Sequence, residues 1–334
     1  MRCASGVTPT RSPPSVALVL DGGGRAHVAG TVADLRFDAI PGTSGGYRVA
    51  LAGSFATATS IGRCAATDVP AVAIALLDRF CHLRRDQAAA IRRVQHAVAA
   101  WGTTPFREAA GHLIEAGGDP GERPADPVIG HQPGAWYGAA FAFGRLDADT
   151  LQVLADAAER HGDGDLRILP TRAVLLSRAH ADAGPMLRAA GAIEEPGDPH
   201  LRAETCSGCG GCERGTTATL SDTRTLVASA PTLLAAGTGA VLHVSGCAKG
   251  CAHSGAAAVT LTGRAGRYDL SIGGAAGSAP LWRDLDVAAA ASRLTALERE
   301  FLRQRSGDED PAATLGRLDP DWLRNRIDEE VAGA

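Results

Sequence analysis

Two segments of the chain repeat the same order of apolar and polar positions. One begins at Gly46 and the other at Arg267, and each predicts an alternating strand led by an aromatic residue, a glycine turn, a loop of small residues and an amphipathic helix. Strict alternation indicates a strand with one buried face, whereas apolar positions three or four apart indicate a helix. Each helix is expected to begin after an aspartate, Asp68 or Asp286, because a carboxylate accepts hydrogen bonds from the first amides of a helix. The pattern therefore predicts two related α/β domains.

Another pair of strands is predicted before each repeat. The segment SVALVLDGGGRAHVAG, residues 15–30, is expected to form a hairpin that turns at Asp21 and Gly22, and residues 256–270 are expected to form a second hairpin. The DGGGR run within the first segment also suggests a phosphate-binding loop. It does not fit the GxGxxG spacing, so the hairpin turn is the favoured interpretation.

A different pattern separates the two repeats. After a segment rich in glycine, proline and charge, the chain predicts a strand, a helix capped near Asp147, two strands around Pro170 and a second helix. This order is half of a ferredoxin-like α/β sandwich. The predicted fold class is therefore α+β, with the half-domain between two related α/β domains. The predicted boundaries are 1–116 for the first repeat, 117–134 for a linker, 135–200 for the half-domain, 201–305 for the second repeat and 306–334 for a charged, peripheral tail.

Composition narrows the classes of function. The chain has 334 residues, of which 45% are hydrophobic and 21% charged, as in ordinary globular proteins. Its net charge of −4 argues against a nucleic-acid partner, since domains that bind phosphate backbones are usually basic. No apolar run reaches the ~18 residues that span a bilayer, and the N-terminal residues do not have the pattern of a signal peptide. We therefore expect a cytoplasmic protein without a nucleic-acid or membrane partner.

Five of the eight cysteines lie close together in the sequence, which indicates a soft metal centre. They are Cys206, Cys209, Cys212, Cys247 and Cys251. Pairs of cysteines could hold a structural zinc ion tetrahedrally, whereas a 4Fe-4S cluster takes one thiolate at each of four separate corners. The spacings Cys-x5-Cys and Cys-x3-Cys favour the cluster, and the neighbouring glycines would let the backbone approach its inorganic core. Zinc stays open as the alternative.

The second cysteine pair encloses the only lysine of the chain. Lys249 lies between Cys247 and Cys251, although the sequence has 33 basic residues in total. His243 and His253 flank the same loop, and either could act as a general acid or base or as an iron ligand. These three basic side chains are the candidate catalytic residues.

The order of these elements, with its two cysteine spacings, resembles the sulfite and nitrite reductase superfamily. Within it, the segments SGCAKGCAH and LRILPTRAVLL resemble the precorrin-3B synthase family, and the resemblance extends over about residues 13–305. The resemblance implies a 4Fe-4S cluster held by Cys206, Cys212, Cys247 and Cys251. Cys209 has no counterpart in this set of four ligands.

The resemblance also implies an anionic tetrapyrrole substrate, precorrin-3A. Arginine side chains suit its carboxylates because a guanidinium group can bind a carboxylate through two parallel hydrogen bonds. Arg167, Arg172 and Arg214 are the candidate substrate-binding residues, since the first two lie at a strand end and the third follows Cys212.

The implied reaction is a monooxygenase reaction of aerobic cobalamin biosynthesis. Dioxygen would hydroxylate precorrin-3A at C20, and a ring-A acetate would close a lactone. The cluster would receive electrons from an electron-donor protein, with reduced nicotinamide as the indirect source, and a further non-haem iron would have histidine and carboxylate ligands. The alternatives are a sirohaem-type sulfite or nitrite reductase homologue and a truncated, non-catalytic metal-binding protein.

Two features depart from the superfamily pattern. The reductases present lysines on an early strand, where this chain has Ser15 and Ala17, so the six-electron reduction of sulfite or nitrite is disfavoured. The chain also begins inside the first repeat, without the additional half-domain that family members have. We therefore expect an uncovered sheet edge and apolar face on the half-domain that is present.

Overall fold

The chain divides into two compact units, Met1–Val128 and Ile129–Ala334, in a computed structural model. The structure describes residues 16–42, 45–85, 90–118, 121–123 and 128–333. Ser15, and with it the start of the first predicted hairpin, lies outside the described residues. In the described part of the chain, no helix is long and apolar enough to cross a membrane.

The first unit is a four-stranded sheet covered by helices. In chain order its elements are β1 (Leu18–Asp21), β2 (Ala33–Ala39), β3 (Gly46–Gly53), β4 (Thr59–Ala65), α1 (Val69–Leu83), α2 (Val94–Trp101) and α3 (Thr104–Ala110), and the strand order is β1-β2-β3-β4. Leu35 and Phe37 of β2 are fully buried and belong to one apolar core with Phe80 of α1 and Phe106 of α3. Apolar residues at alternate positions of β2 therefore place one face of the sheet against the helices.

The hairpin predicted at Asp21 and Gly22 is wrong, because β1 and β2 are parallel. The Asp21 carboxylate accepts hydrogen bonds from the Gly23 N–H at 2.8 Å and the Val28 N–H at 3.1 Å, so it holds a longer loop in place of a two-residue turn. The antiparallel partner of β2 is β3. Alternation is the same in parallel and antiparallel strands, so the sequence pattern did not distinguish the two arrangements.

The second unit begins with the half-domain. Its elements are β5 (Gly130–Gln132), β6 (Trp136–Ala140), α4 (Ala148–His161), β7 (Leu166–Ile168), β8 (Ala173–Ser177) and α5 (Gly184–Ala189), in the strand order β5-β6-β8-β7. Asp147 caps α4 as predicted, since its carboxylate accepts a hydrogen bond of 2.8 Å from the Thr150 N–H. Leu154 of α4 and Leu176 of β8 are fully buried in a core of their own.

A five-stranded sheet follows the half-domain. Its strands are β9 (Ala203–Thr205), β10 (Leu242–Ser245), β11 (Val259–Arg264), β12 (Arg267–Ile272) and β13 (Trp282–Leu285), in the order β13-β12-β11-β10-β9, and its helices are α6 (Thr219–Ser229), α7 (Pro231–Ala235) and α8 (Val287–Gln304). The predicted hairpin of β11 and β12 is confirmed, with Arg264 opposite Arg267. Strands β9, β10 and β11 are parallel neighbours, so their carboxyl ends lie at one edge of the sheet.

The predicted internal repeat is visible in the topology. In each unit a parallel strand pair, β1 with β2 or β10 with β11, is followed by two antiparallel strands and a long helix. The stretch that was predicted as a loop of small residues contains a strand in both copies, β4 and β13. The loop between β1 and β2 is therefore the topological counterpart of the cysteine loop between β10 and β11.

The C-terminal segment is not peripheral, contrary to the expectation from its charge. It forms α9 (Pro311–Gly316) and α10 (Pro320–Ala332), and Leu323 and Ile327 are buried in the same core as α8. The Trp282 Nε1–H donates a hydrogen bond of 2.9 Å to the Asp328 carboxylate. Most of the charged residues of this segment cover the outer faces of helices whose apolar faces complete the core.

The two predicted helix caps provide a matched pair for measurement. Asp286 accepts a hydrogen bond of 2.8 Å from the Ala289 N–H, whereas Asp68 makes no side-chain cap because a 3₁₀ turn, Ala66–Asp68, precedes α1. We expect Asp286→Ala to lower the free energy of unfolding by about 1 kcal/mol. Asp68→Ala should leave it nearly unchanged in the same urea titration, and equal losses would contradict this assignment of the caps.

Candidate functional site

The cysteines lie in two loops at the carboxyl edge of the second sheet. Cys206 directly follows β9, and Cys247 follows β10 after one glycine. Because β9 and β10 are parallel neighbours, the two loops meet, and the Gly246 N–H donates a hydrogen bond of 3.2 Å to the Cys206 sulfur. Cys212 lies further along the first loop, and Cys251 further along the second.

Glycines allow the two loops to approach closely. A Cβ atom added to Gly246 would lie 3.3 Å from the Cα atoms of Gly208 and Gly215, and 3.5 Å from the Cys206 sulfur. The Gly246 carbonyl oxygen accepts a hydrogen bond of 2.9 Å from the Thr216 N–H. These contacts hold the backbone of both loops against the first cysteine, which a larger side chain at any of the three glycines would prevent.

The donors of this edge fit an iron–sulfur cluster. Four thiols, a backbone N–H directed at a sulfur and a glycine cradle are the groups that bind such a cluster and tune it. Among the described residues, no group of three or more histidine, cysteine or acidic side chains is arranged to hold a single metal ion. Tetrahedral zinc requires ligands that converge on one point, whereas a cluster takes one thiolate at each iron. The backbone N–H and the glycine cradle around Cys206 are features of an iron–sulfur site, and the choice between the cluster and zinc stays a prediction.

Cys209 occupies an exposed turn of the first loop. Its N–H donates a hydrogen bond of 2.8 Å to the Thr217 carbonyl oxygen, and its thiol is exposed. This contact closes the segment from Cys209 to Thr217, which carries Cys212. The role of the Cys209 thiol is therefore separable from that of its backbone.

One face of the second sheet is buried and polar. His243 of β10 is in register with Glu204 of β9 and Thr260 of β11, so the three side chains lie on one face. His243 and Thr260 are fully buried, and Ser245 continues the same face toward the cysteine edge. Sequence reasoning missed Glu204, although its position two residues before Cys206, at the end of a strand, was an available signal.

The His243 ring is buried and has no hydrogen-bond partner among the residues that the structure describes. This holds for both of its nitrogen atoms, and the ring centroid of His253 lies 5.6 Å away in an edge-to-face arrangement. Burial, with a smaller contribution from the charge of His253, lowers the pKa of His243 to about 4. The imidazole is therefore neutral near pH 7, and it can accept a hydrogen bond or a proton or bind a metal ion.

The neutral state of His243 has a consequence for stability. Since the folded-state pKa lies below the ordinary value of 6.5, this group stabilises the fold above pH 6.5, and the contribution is lost as the pH falls toward 4. This difference between the two pKa values corresponds to a change of up to about 3 kcal/mol in the free energy of unfolding.

An NMR titration of labelled histidines tests the neutral state of His243. We expect one ring resonance that does not titrate between about pH 5 and 8 and that disappears in His243→Leu. His112→Leu, at an exposed position, is the control for the assignment.

Of the other predicted residues, Arg214 and Lys249 lie in the two cysteine loops, whereas Arg167 lies on β7 of the half-domain. Arg172 forms an ion pair with Glu204 and donates a hydrogen bond of 3.3 Å to the Ala203 carbonyl oxygen, so it joins the turn after β7 to β9. The protein itself thus engages Arg172, and its contact with substrate stays a prediction. Arg167, Arg214 and Lys249 are exposed, and their side chains are accessible to an anionic ligand.

The corresponding face of the first sheet carries buried charges that sequence reasoning also missed. The Asp38 carboxylate forms ion pairs with Arg36 at 2.8 Å and Arg48 at 2.7 Å, and the side chains of Asp38 and Arg36 are inaccessible to solvent. Charged residues at alternate positions of the otherwise apolar strand ADLRFDA were the available signal. The two repeats therefore share a topology but differ in the chemistry of this face.

Comparison with known proteins agrees with the fold. Residues 129–192 match the family described as the nitrite/sulfite reductase ferredoxin-like half domain. A precorrin-3B synthase from Sinorhizobium sp is 28% identical over 321 residues, which cover 93% of this chain and 67% of the relative. The Mycobacterium tuberculosis NirA protein superposes with a TM-score of 0.68 at 20% identity, covering 90% of this chain and 62% of NirA. The predicted fold class and the predicted resemblance are confirmed, and the chain spans about two thirds of the length of these relatives.

Proposed function

We propose that this chain, a relative of precorrin-3B synthase with the fold of the sulfite and nitrite reductases, is an oxygen-dependent oxidoreductase acting on an anionic tetrapyrrole. The proposed substrate is precorrin-3A, and the proposed reaction is the monooxygenation that forms precorrin-3B in cobalamin biosynthesis. The observation that supports it most directly is the meeting of two cysteine loops, through the bond from Gly246 to Cys206, beside a buried polar sheet face. The proposal keeps the predicted cytoplasmic location.

Cys206, Cys212, Cys247 and Cys251 would hold the 4Fe-4S cluster. When bound, the cluster supplies electrons one at a time, which dioxygen chemistry requires and closed-shell side chains do not provide. The Gly246 N–H would stabilise the thiolate charge of Cys206 by the hydrogen bond it already donates. The non-haem iron receives no ligands in this proposal, since the described histidine and acidic side chains form no group of three around one point.

The predicted basic residues would bind the substrate carboxylates and handle protons. Arg167 and Arg214 present exposed guanidinium groups, and Lys249 presents an exposed ammonium group beside the cluster loop. His243 would accept a proton or a hydrogen bond at a ring nitrogen, because it is neutral and none of the described residues bonds to its ring nitrogens. Arg172 forms an ion pair with Glu204 and would thereby hold the Glu204 carboxylate beside His243.

The proposed reaction balances with one external reductant. One atom of dioxygen adds to precorrin-3A and becomes the hydroxyl group at C20, as the ring double bond at this carbon is lost. A carboxylate oxygen of the ring-A acetate bonds to the adjacent ring carbon and closes the lactone, and the acid proton ends on the new hydroxyl group. The other atom leaves as water after taking up two electrons and two protons. An electron-donor protein would deliver the electrons, and reduced nicotinamide is their indirect source.

Isotopically labelled dioxygen tests this function. The anaerobically purified chain, mixed with precorrin-3A, a reducing system and labelled dioxygen, should form a product that carries one labelled oxygen atom by mass spectrometry. Product that carries only unlabelled oxygen, or no product from a chain that holds its cluster, would contradict the proposal. The half-domain family favours a sirohaem-type reductase as the second candidate. A bound haem absorption band and consumption of sulfite without dioxygen would support that alternative.

A further inference from the structure

The first unit contains a pocket at the carboxyl ends of its parallel strands. The pocket has a volume of about 300 Å³ and lies where β1 and β2 end. Its walls include Gly22 and Gly23 of the DGGGR loop, Gly46 and Tyr47 of β3, and Arg123. Small-molecule sites start at about this volume, and they occur preferentially beyond the carboxyl ends of parallel strands.

Arg123 brings a buried positive charge to this pocket. Its side chain is only 5% exposed, and its guanidinium group lies 4.9 Å from the centroid of the Phe55 ring. One nitrogen, Nη2, donates a hydrogen bond of 3.0 Å to the Ala39 carbonyl oxygen, but Nε is buried and has no acceptor in the part of the chain that the structure describes. A buried charged donor without an acceptor lowers the free energy of unfolding by about 1–3 kcal/mol or more. The Arg123 guanidinium group therefore still needs a hydrogen-bond acceptor at Nε.

The two nearby acidic residues, Asp21 and Asp38, do not supply the acceptor that Arg123 Nε lacks. The Asp21 carboxylate is 4.0 Å from Arg123, beyond hydrogen-bond distance, and it already accepts the N–H groups of Gly23 and Val28. Asp38 is shared between Arg36 and Arg48. The guanidinium group therefore lacks a close carboxylate partner from these two residues.

The glycines make the guanidinium group accessible to the pocket. Gly23 has a φ of +73°, and a Cβ atom there would lie 3.0 Å from the Arg123 Nη1 atom. Any larger residue would be strained by its φ and would press on the guanidinium group. The DGGGR loop thus forms a pocket wall around an arginine, in the position that the cysteine loop occupies in the second unit.

We propose that this pocket binds a carboxylate through Arg123. The planar guanidinium fork matches a carboxylate and would gain the acceptor that Nε lacks. The carboxylate could belong to a free small acid or to a side arm of a larger ligand such as a tetrapyrrole. Only the second source would depend on the function proposed above, and the first would be a separate ligand site of the first unit.

The test is calorimetric titration of the full chain with succinate, with neutral succinamide as the control ligand. We expect saturable binding of succinate with a Kd below about 10 mM and no binding of succinamide. Arg123→Gln should weaken succinate binding by at least about tenfold, whereas Arg107→Gln, at an exposed position on a neighbouring pocket, should not. Arg123→Lys keeps the positive charge but removes the paired N–H donors of the guanidinium group. It replaces the glutamine variant in this test if circular dichroism shows that Arg123→Gln does not fold.

Competition identifies the source of the carboxylate. Displacement of succinate by the octacarboxylic porphyrin uroporphyrin would assign the pocket to a tetrapyrrole side arm, and its absence would assign the pocket to a free small acid. Both results support a carboxylate site. The proposal is overturned if the folded wild-type chain shows no saturable succinate binding, or if Arg123→Gln binds succinate as tightly as wild type.

Discussion

Cys247→Ser is expected to abolish binding of the proposed iron–sulfur cluster. The anaerobically purified wild-type chain should contain about four irons and four sulfides and show a broad brown absorption, whereas the variant should contain almost none. The physical reason is that each iron needs its own thiolate, and the Cys247 loop is the one whose Gly246 N–H reaches the Cys206 sulfur. Iron and sulfide analysis and a visible spectrum, recorded for the wild-type chain and the variant, measure the cluster content of each.

Cys209→Ser is the matched control within the same loops. Its thiol is exposed and has no place in the predicted ligand set, and the substitution keeps the N–H that donates to the Thr217 carbonyl oxygen. We therefore expect the variant to retain its full iron content. Loss of iron from Cys209→Ser with retention in Cys247→Ser would show that the ligand set is wrong. Stoichiometric zinc without iron in the wild-type chain would establish the alternative metal centre.

Asp38→Ala is expected to destabilise the first unit strongly. The substitution leaves Arg36 and Arg48 without the carboxylate that pairs with both, and the Arg36 side chain is inaccessible to solvent. Removing one partner from a buried ion pair typically lowers the free energy of unfolding by about 3–5 kcal/mol, because an uncompensated charge stays buried. Urea unfolding, followed by circular dichroism, measures the loss.

An exposed ion pair of the same unit provides the control. Glu115 pairs with Arg63 at 2.8 Å, and its side chain is 71% exposed. Glu115→Gln should change the free energy of unfolding by less than about 1 kcal/mol, since water screens such pairs. Similar losses in the two variants would contradict the assignment of Asp38 as the centre of a buried ion cluster.

The candidate site could be predicted where its chemistry depends on residue type and on spacing along one loop. Cys206 and Cys212, and likewise Cys247 and Cys251, are close in sequence, so their loops could be recognised before any fold was known. Glu204 was not recognised, because its relation to His243 exists only through the register of β9 and β10. The buried state of His243 also depends on neighbours that are distant in sequence.

By itself, the sequence determined the α+β class, the internal repeat, the half-domain and the two cysteine loops, because alternation, helical spacing and ligand spacing are local properties of a chain. Only the tertiary structure decided that β1 and β2 are parallel, that α10 completes the core and that Arg123 is buried against the DGGGR loop. Strand direction and burial depend on which segments become neighbours in space, and a periodic pattern is the same for several choices of neighbour.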